Sequence, residues 1–157
     1  PTPSSAASDV YKRQVSIVCD TLGWQHSVFD VRSEFSNKHR FPTATETLSC
    51  SVADFIKKEN SSSFSRFSDV LVLGHDWSVD QELLIGLLRT SQDNLRIGVI
   101  GSKSKWKGFV KAAEESGIDK EGLSNARCPI GLEIGADTPE EIALAICAEI
   151  LSMERGA

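Results

Sequence analysis

At 157 residues and 17.1 kDa, with 40% hydrophobic and 25% charged residues, the chain has the length and composition of one ordinary soluble globular domain. Its 17 Lys and Arg against 22 Asp and Glu leave a net charge of −5, which argues against nucleic acid or an anionic membrane as a partner of the whole surface. No apolar run reaches the roughly 18–20 residues of a membrane helix, and the start lacks the basic-then-apolar order of a signal peptide, so a cytoplasmic location is expected.

Pro1 to Gln14 (PTPSSAASDVYKRQ) has no apolar period and reads as a disordered or non-native leader to a domain over 15–157. From Val15 a helix is predicted by Val15, Val18, Cys19 and Leu22, with Gly23 at its end. His26 to Asp30 (HSVFD) predicts a short strand, and Ser33 to Thr47, broken by Pro42, a loop. Ser51 is placed to cap a helix through Lys58 whose apolar face is Val52, Phe55 and Ile56, before a serine-rich linker from Asn60 to Ser65.

Asp69 to Gly74 (DVLVLG) and Arg96 to Gly101 (RIGVIG) are continuous apolar runs of the kind found in doubly buried strands, the first predicted to lie centrally in its sheet. Between them, Ser78 precedes a helix with Val79, Leu83, Leu84, Leu87 and Leu88 on one side. After the second, Trp106, Phe109, Val110 and Ala113 predict a helix whose other faces carry Lys103, Lys105, Lys107 and Lys111 into solvent. Thr138 with Pro139 and Glu141 forms a capping box for a last helix that is apolar nearly all round and expected to pack on the sheet. Alternating strands and helices of this kind predict an α/β fold: a doubly wound, mostly parallel sheet of Rossmann type.

Ligands in such sheets bind beyond the carboxyl ends of the strands, so candidate residues are sought there. Asp30 with Arg32 follows the first strand, where a carboxylate can accept hydrogen bonds from ribose hydroxyls or stand as a solvated loop residue. His75, Asp76 and Asp80 follow DVLVLG and combine a titratable imidazole with carboxylates, but the favoured reading is that Asp76 or Ser78 caps the next helix and His75 is a loop residue. Ser102 and Lys103 follow RIGVIG at a helix N-terminus, where free N–H groups favour an anion and a cation is out of place for the helix dipole alone. Cys128, in the irregular segment Arg127 to Asp137, is a loop thiol or a small buried side chain. Cys19, Cys50, Cys128 and Cys147 lie too far apart for a structural zinc site, and no catalytic triad or metal-ligand spacing is evident, so no catalytic residue and no metal are expected.

The runs GVIGSKSKWKGF and CPIGLEIGADTPEEIALAICAEI, with VFDVRSEFSNKHRFP and VLVLGHDWSVDQELL before them, resemble the C-terminal Rossmann domain of the xanthine dehydrogenase accessory factor (XdhC-type) family. The resemblance covers about Val15 to Gly156. It implies a molybdenum-cofactor (molybdopterin) chaperone more than a catalyst. Such a protein holds the cofactor during sulfuration by a cysteine desulfurase and assists its insertion into xanthine dehydrogenase-like apo-enzymes, and a homodimer is a further expectation. Asp30, Arg32, His75, Asp76, Asp80, Ser102, Lys103 and Cys128 become its candidate cofactor-binding residues. The family's opening strand and glycine-rich G-x-G-H turn have no counterpart before Val15, so the first strand and loop are expected to be missing. An NAD(P)-binding oxidoreductase domain is the alternative, with the dinucleotide fingerprint absent, and a ligand-free interaction domain is a third.

Overall fold

A computed structural model describes residues 5–59, 64–74, 76–90 and 94–157. His75 and most of the expected serine-rich linker lie outside the described residues. The described residues divide into two compact units, one of Val52–Ile130 and one of residues 5–51 together with Gly131–Ala157.

In the second unit, helix α1 runs Ser5–Leu22, ten residues earlier than the apolar period predicts. Most of the segment expected to be a disordered leader is therefore helical, because polar positions along a helix need no apolar period when one stripe is buried. Ser8, Asp9, Val15 and Cys19 are buried. The strands β1 (Val28–Phe29) and β2 (Thr47–Leu48) pair in parallel, Val28 opposite Thr47 and Phe29 opposite Leu48, over the small core of Val28, Phe41 and Ala44. Two-residue strands are too short to show an alternation, so β2 carries no signal at the end of the predicted loop.

The last helix of this unit, here labelled α5 (Pro139–Arg155), packs along α1. Its start follows the sequence closely: Thr138 Oγ1 accepts the Glu141 amide at 3.2 Å, and Glu141 Oε2 accepts the Asp137 amide at 3.2 Å. At its end Gly156 takes the left-handed conformation at φ 65°. The helix is not covered all round: Ala143, Ala145, Ile146, Cys147 and Ile150 are buried, whereas Leu144 is 54% exposed.

The first unit holds helix α2 (Val52–Lys58), then strand β3 (Asp69–Val72), helix α3 (Trp77–Arg89), strand β4 (Arg96–Val99), helix α4 (Lys103–Glu115) and strand β5 (Ala126–Arg127). The strands are parallel in the order β3-β4-β5, with Asp69 opposite Arg96 and Ile97 opposite Ala126. The expectation that β3 is central is corrected, since among the described residues it pairs with β4 alone, and β4 carries the buried middle position. Arg96 grips the Asp69 carboxylate across the pair at 2.9 and 2.7 Å, at the strand ends opposite the ligand side. Val72, Leu84, Leu87, Val99, Phe109 and Ala113 form the core, with Trp77 set edge-on to Phe109 at 5.5 Å between ring centres.

Parallel strands alternating with helices make this an α/β, Rossmann-like fold, and the packing separates residues that hydropathy alone treats alike. Ile146→Ala is expected to cost about 2–5 kcal/mol in urea unfolding through lost burial and a residual cavity. Leu144→Ala, on the same helix, is expected to change stability by less than about 0.5 kcal/mol.

Candidate functional site

Three chain segments leave the carboxyl ends of β3, β4 and β5 in the first unit, and each contributes to one group of polar side chains. After β3 the chain passes through Gly74 to Asp76, which caps α3: its Oδ1 accepts the amides of Ser78 at 2.8 Å and Val79 at 3.2 Å, and the Ser78 hydroxyl at 2.8 Å. Asp76 thus serves the helix start, the second of the two roles its position allowed. One turn on, Asp80 is 1% exposed. A carboxylate so buried requires a cation, and it receives the Lys105 ammonium at 2.9 Å.

Lys105 corrects the expectation of a solvent-facing lysine: it is 7% exposed, and its Nζ also donates to the Ile100 carbonyl at the end of β4, 3.2 Å away. The signal is present in the spacing, since Lys105, Phe109 and Ala113 follow one another at i, i+4 and i+8 and all three are buried. Charge alone hides it. Lys103, by contrast, is exposed on the first turn of α4, and Ser102 caps that helix by accepting the Lys105 amide at 3.1 Å.

Cys128 follows β5. Its thiol is half-buried and donates to the Gly101 carbonyl at 3.5 Å. Burial pushes the Cys128 thiol up, and the nearby Lys105 charge offsets this only in part, so the group is a thiol and not a thiolate at neutral pH. Asp80, Ser102, Lys105 and Cys128 are therefore one cluster around the turn at Gly101. Two glycines make room for it. A Cβ on Gly74 would lie 1.7 Å from the Asp80 carboxylate, and one on Gly101, whose φ is 155°, would lie 2.6 Å from Lys105 Cδ.

Asp30 and Arg32 belong to the other unit. Asp30 is 3% exposed at the end of β1. Its Oδ1 accepts from the Arg32 amide at 2.9 Å and from Arg32 Nε at 3.1 Å, while Oδ2 accepts from Arg32 Nη2 at 3.1 Å and Lys12 Nζ at 2.9 Å. Both oxygens are engaged by the chain itself. Burial alone would raise the Asp30 pKa, but the Arg32 hydrogen bonds and the Lys12 charge outweigh it and hold it at about 2. No pattern in the sequence marks Lys12, because it sits in the segment that lacks an apolar period. Among the described residues no group of three or more His, Cys, Asp or Glu is arranged to hold a metal ion, and no helix is long and apolar enough to cross a membrane.

Parallel strands, helices between them and polar groups gathered at the strand carboxyl ends define a Rossmann-type domain. Residues 7–150 match the XdhC Rossmann domain, and the chain belongs to that family. It is 29% identical over 143 residues to the uncharacterized protein YqeB of Escherichia coli, the match taking in 87% of this chain and 24% of YqeB. To a probable xanthine dehydrogenase subunit of Bacillus subtilis it is 27% identical over 140 residues, 89% of this chain and 38% of that protein. The crystal structure of a xanthine dehydrogenase from Bacillus halodurans superposes with a TM-score of 0.77 at 28% identity, covering 95% of this chain and 41% of that one. The chain thus spans less than half the length of each of these relatives.

Two outcomes test the electrostatics. Asp80→Ala leaves a buried ammonium without its counter-charge and is expected to cost about 3–5 kcal/mol in denaturant unfolding, most of it recovered when Lys105→Met is added. Asp30, whose folded pKa lies below the ordinary 3.8, contributes about 2 kcal/mol that is complete above about pH 4 and lost as pH falls through about 2. Arg32→Ala removes the largest of the contributions that oppose burial and leaves Lys12 as the cation on the carboxylate, so the acid transition followed by circular dichroism is expected to move to higher pH.

Proposed function

We propose that this domain belongs to an accessory protein of xanthine dehydrogenase-like molybdenum hydroxylases and takes part in handling their molybdenum cofactor before it enters the apo-enzyme. The observation that carries the reading is the cluster at the strand carboxyl ends, Ser102 and Cys128 around the buried Asp80–Lys105 pair, in a chain of the XdhC Rossmann family. The cofactor is cargo here. A pterin bearing phosphate and sulfur needs an anion site beside a polar, partly dry surface, and the residues present are compatible with that chemistry. The α4 N-terminus with Lys103 supplies cationic and N–H character for the phosphate. Cys128, kept protonated, offers a weak S–H donor and no competing negative charge toward sulfur ligands.

The xanthine dehydrogenase names of the Bacillus relatives support clients of that class, and a cysteine desulfurase is the partner that sulfuration of such a cofactor requires. A cytoplasmic place of action accords with both. The competing nicotinamide reading relied on Asp30 as a ribose acceptor and gains nothing from a carboxylate whose two oxygens are filled by Arg32 and Lys12.

Anaerobic equilibrium titration of the chain with isolated molybdopterin is expected to show saturable binding, weakened tenfold or more by Lys103→Ala through loss of one charge-assisted contact. Absence of saturable binding, or identical affinity in the variant, would overturn this assignment.

A further inference from the structure

The segment leaving the carboxyl end of β1 gathers a second set of charged side chains, and it does so against the sign of the chain as a whole. The protein carries a net charge of −5, yet here Lys12, Arg13, Arg32 and Arg40 stand against Asp9, Asp30 and Glu34. The arrangement fixes two guanidinium groups on one ring: Arg32 lies 3.8 Å and Arg40 4.8 Å from the centre of Phe35. Each is also held by a buried carboxylate, Arg32 by Asp30 and Arg40 by Asp9 at 3.0 Å. Arg40 Nε is further tied to the Glu34 carbonyl at 2.9 Å, which leaves its second terminal nitrogen available.

Arg13, Glu34, Asn37, His39 and Arg40 line an open cavity of about 340 Å³. The Asn37 side chain is consumed within the turn, its amide nitrogen donating to the carbonyls of Ser33 and Glu34 and its oxygen accepting from the Arg40 amide. The groups left to meet a ligand are the Arg13 guanidinium and the His39 imidazole, both exposed and without a chain partner among the described residues, and the remaining edge of Arg40. Glu34 opposes them. An arginine already immobilised by a carboxylate and an aromatic face loses little freedom on gripping an anion, and its planar fork suits phosphate oxygens. The position also fits, since open α/β sheets receive ligands beyond strand carboxyl ends, and arginine near such an end accommodates a ribose phosphate.

We propose that this cavity binds a phosphate monoester, with Arg13 and Arg40 as its cationic walls, His39 as a further donor and Glu34 as a carboxylate that moderates affinity. The assignment does not depend on the cofactor-handling reading above, because it uses none of the residues of that cluster. The phosphate can be that of a nucleotide ribose or that of a pterin, and displacement separates the two sources.

Calorimetric titration of the whole 157-residue chain with inorganic phosphate at low ionic strength tests it. Saturable binding is expected, weakened tenfold or more by Arg13→Ala and strengthened by Glu34→Gln, with Lys120→Ala, an exposed lysine of the other unit, binding as the parent does. Both cavity substitutions fall on exposed side chains, so folding is preserved in each. Displacement of phosphate by adenosine 2′-phosphate assigns the nucleotide source, and displacement by isolated molybdopterin the pterin source. Lack of saturable binding overturns the proposal; so do parent-like affinities in both Arg13→Ala and Glu34→Gln, or a loss in Lys120→Ala equal to that in Arg13→Ala. Molybdopterin binding that depends on Lys103, in a chain that shows no saturable phosphate binding, would leave the cofactor reading standing while this one falls.

Discussion

The buried ion pair between Asp80 and Lys105 ties the carboxyl end of the three-stranded sheet together. Moving either charge out of water costs several kcal/mol, which their 2.9 Å contact and the Ile100 carbonyl on the ammonium help to offset. Because Asp80 belongs to α3 and Lys105 to α4, the pair joins two helices that begin directly after successive strands. The same ammonium moderates the Cys128 thiol, so three chain segments share one electrostatic centre. The glycines follow from it as well, since Gly74 and Gly101 stand where any side chain would strike one partner of the pair.

The unit that contains β1 solves a similar problem differently. Asp30 is as deeply buried as Asp80, but it receives one guanidinium as a two-pronged clamp and one ammonium. Its surroundings carry surplus positive charge where those of Asp80 are balanced. That surplus, in a chain that is acidic overall, is why the neighbouring cavity is suited to an anion while the protein as a whole repels polyanions.

Membership of the XdhC Rossmann family and this pair of arrangements bear on each other. Rossmann-type folds place chemistry at strand ends and vary it through the loops there, so a shared fold leaves function to individual side chains. In this chain those side chains are a protonated thiol beside a neutralised ammonium, and an arginine pair held on a phenylalanine. Neither set resembles the acid, base and nucleophile constellation of a hydrolase.

The sequence by itself determined what rests on local period and local chemistry. The runs DVLVLG and RIGVIG became strands, the apolar stripes after them became α3 and α4, and the Thr138–Glu141 box started the last helix, because burial on both faces, helical spacing and capping are all written in neighbouring residues. It also marked Ser102 and Cys128 for attention, through their places after strands. Tertiary structure alone decided which charges are buried. Lys105 and Lys103 look alike in a lysine-rich stretch, and only packing against Phe109 and Asp80 puts one in the core and leaves the other in solvent. Lys12 reaches Asp30 across a separation of 18 residues, and Arg40 reaches Asp9 across 31. No local pattern encodes such pairs, because the free energy that justifies burying a charge comes from a partner that the chain must first fold to supply.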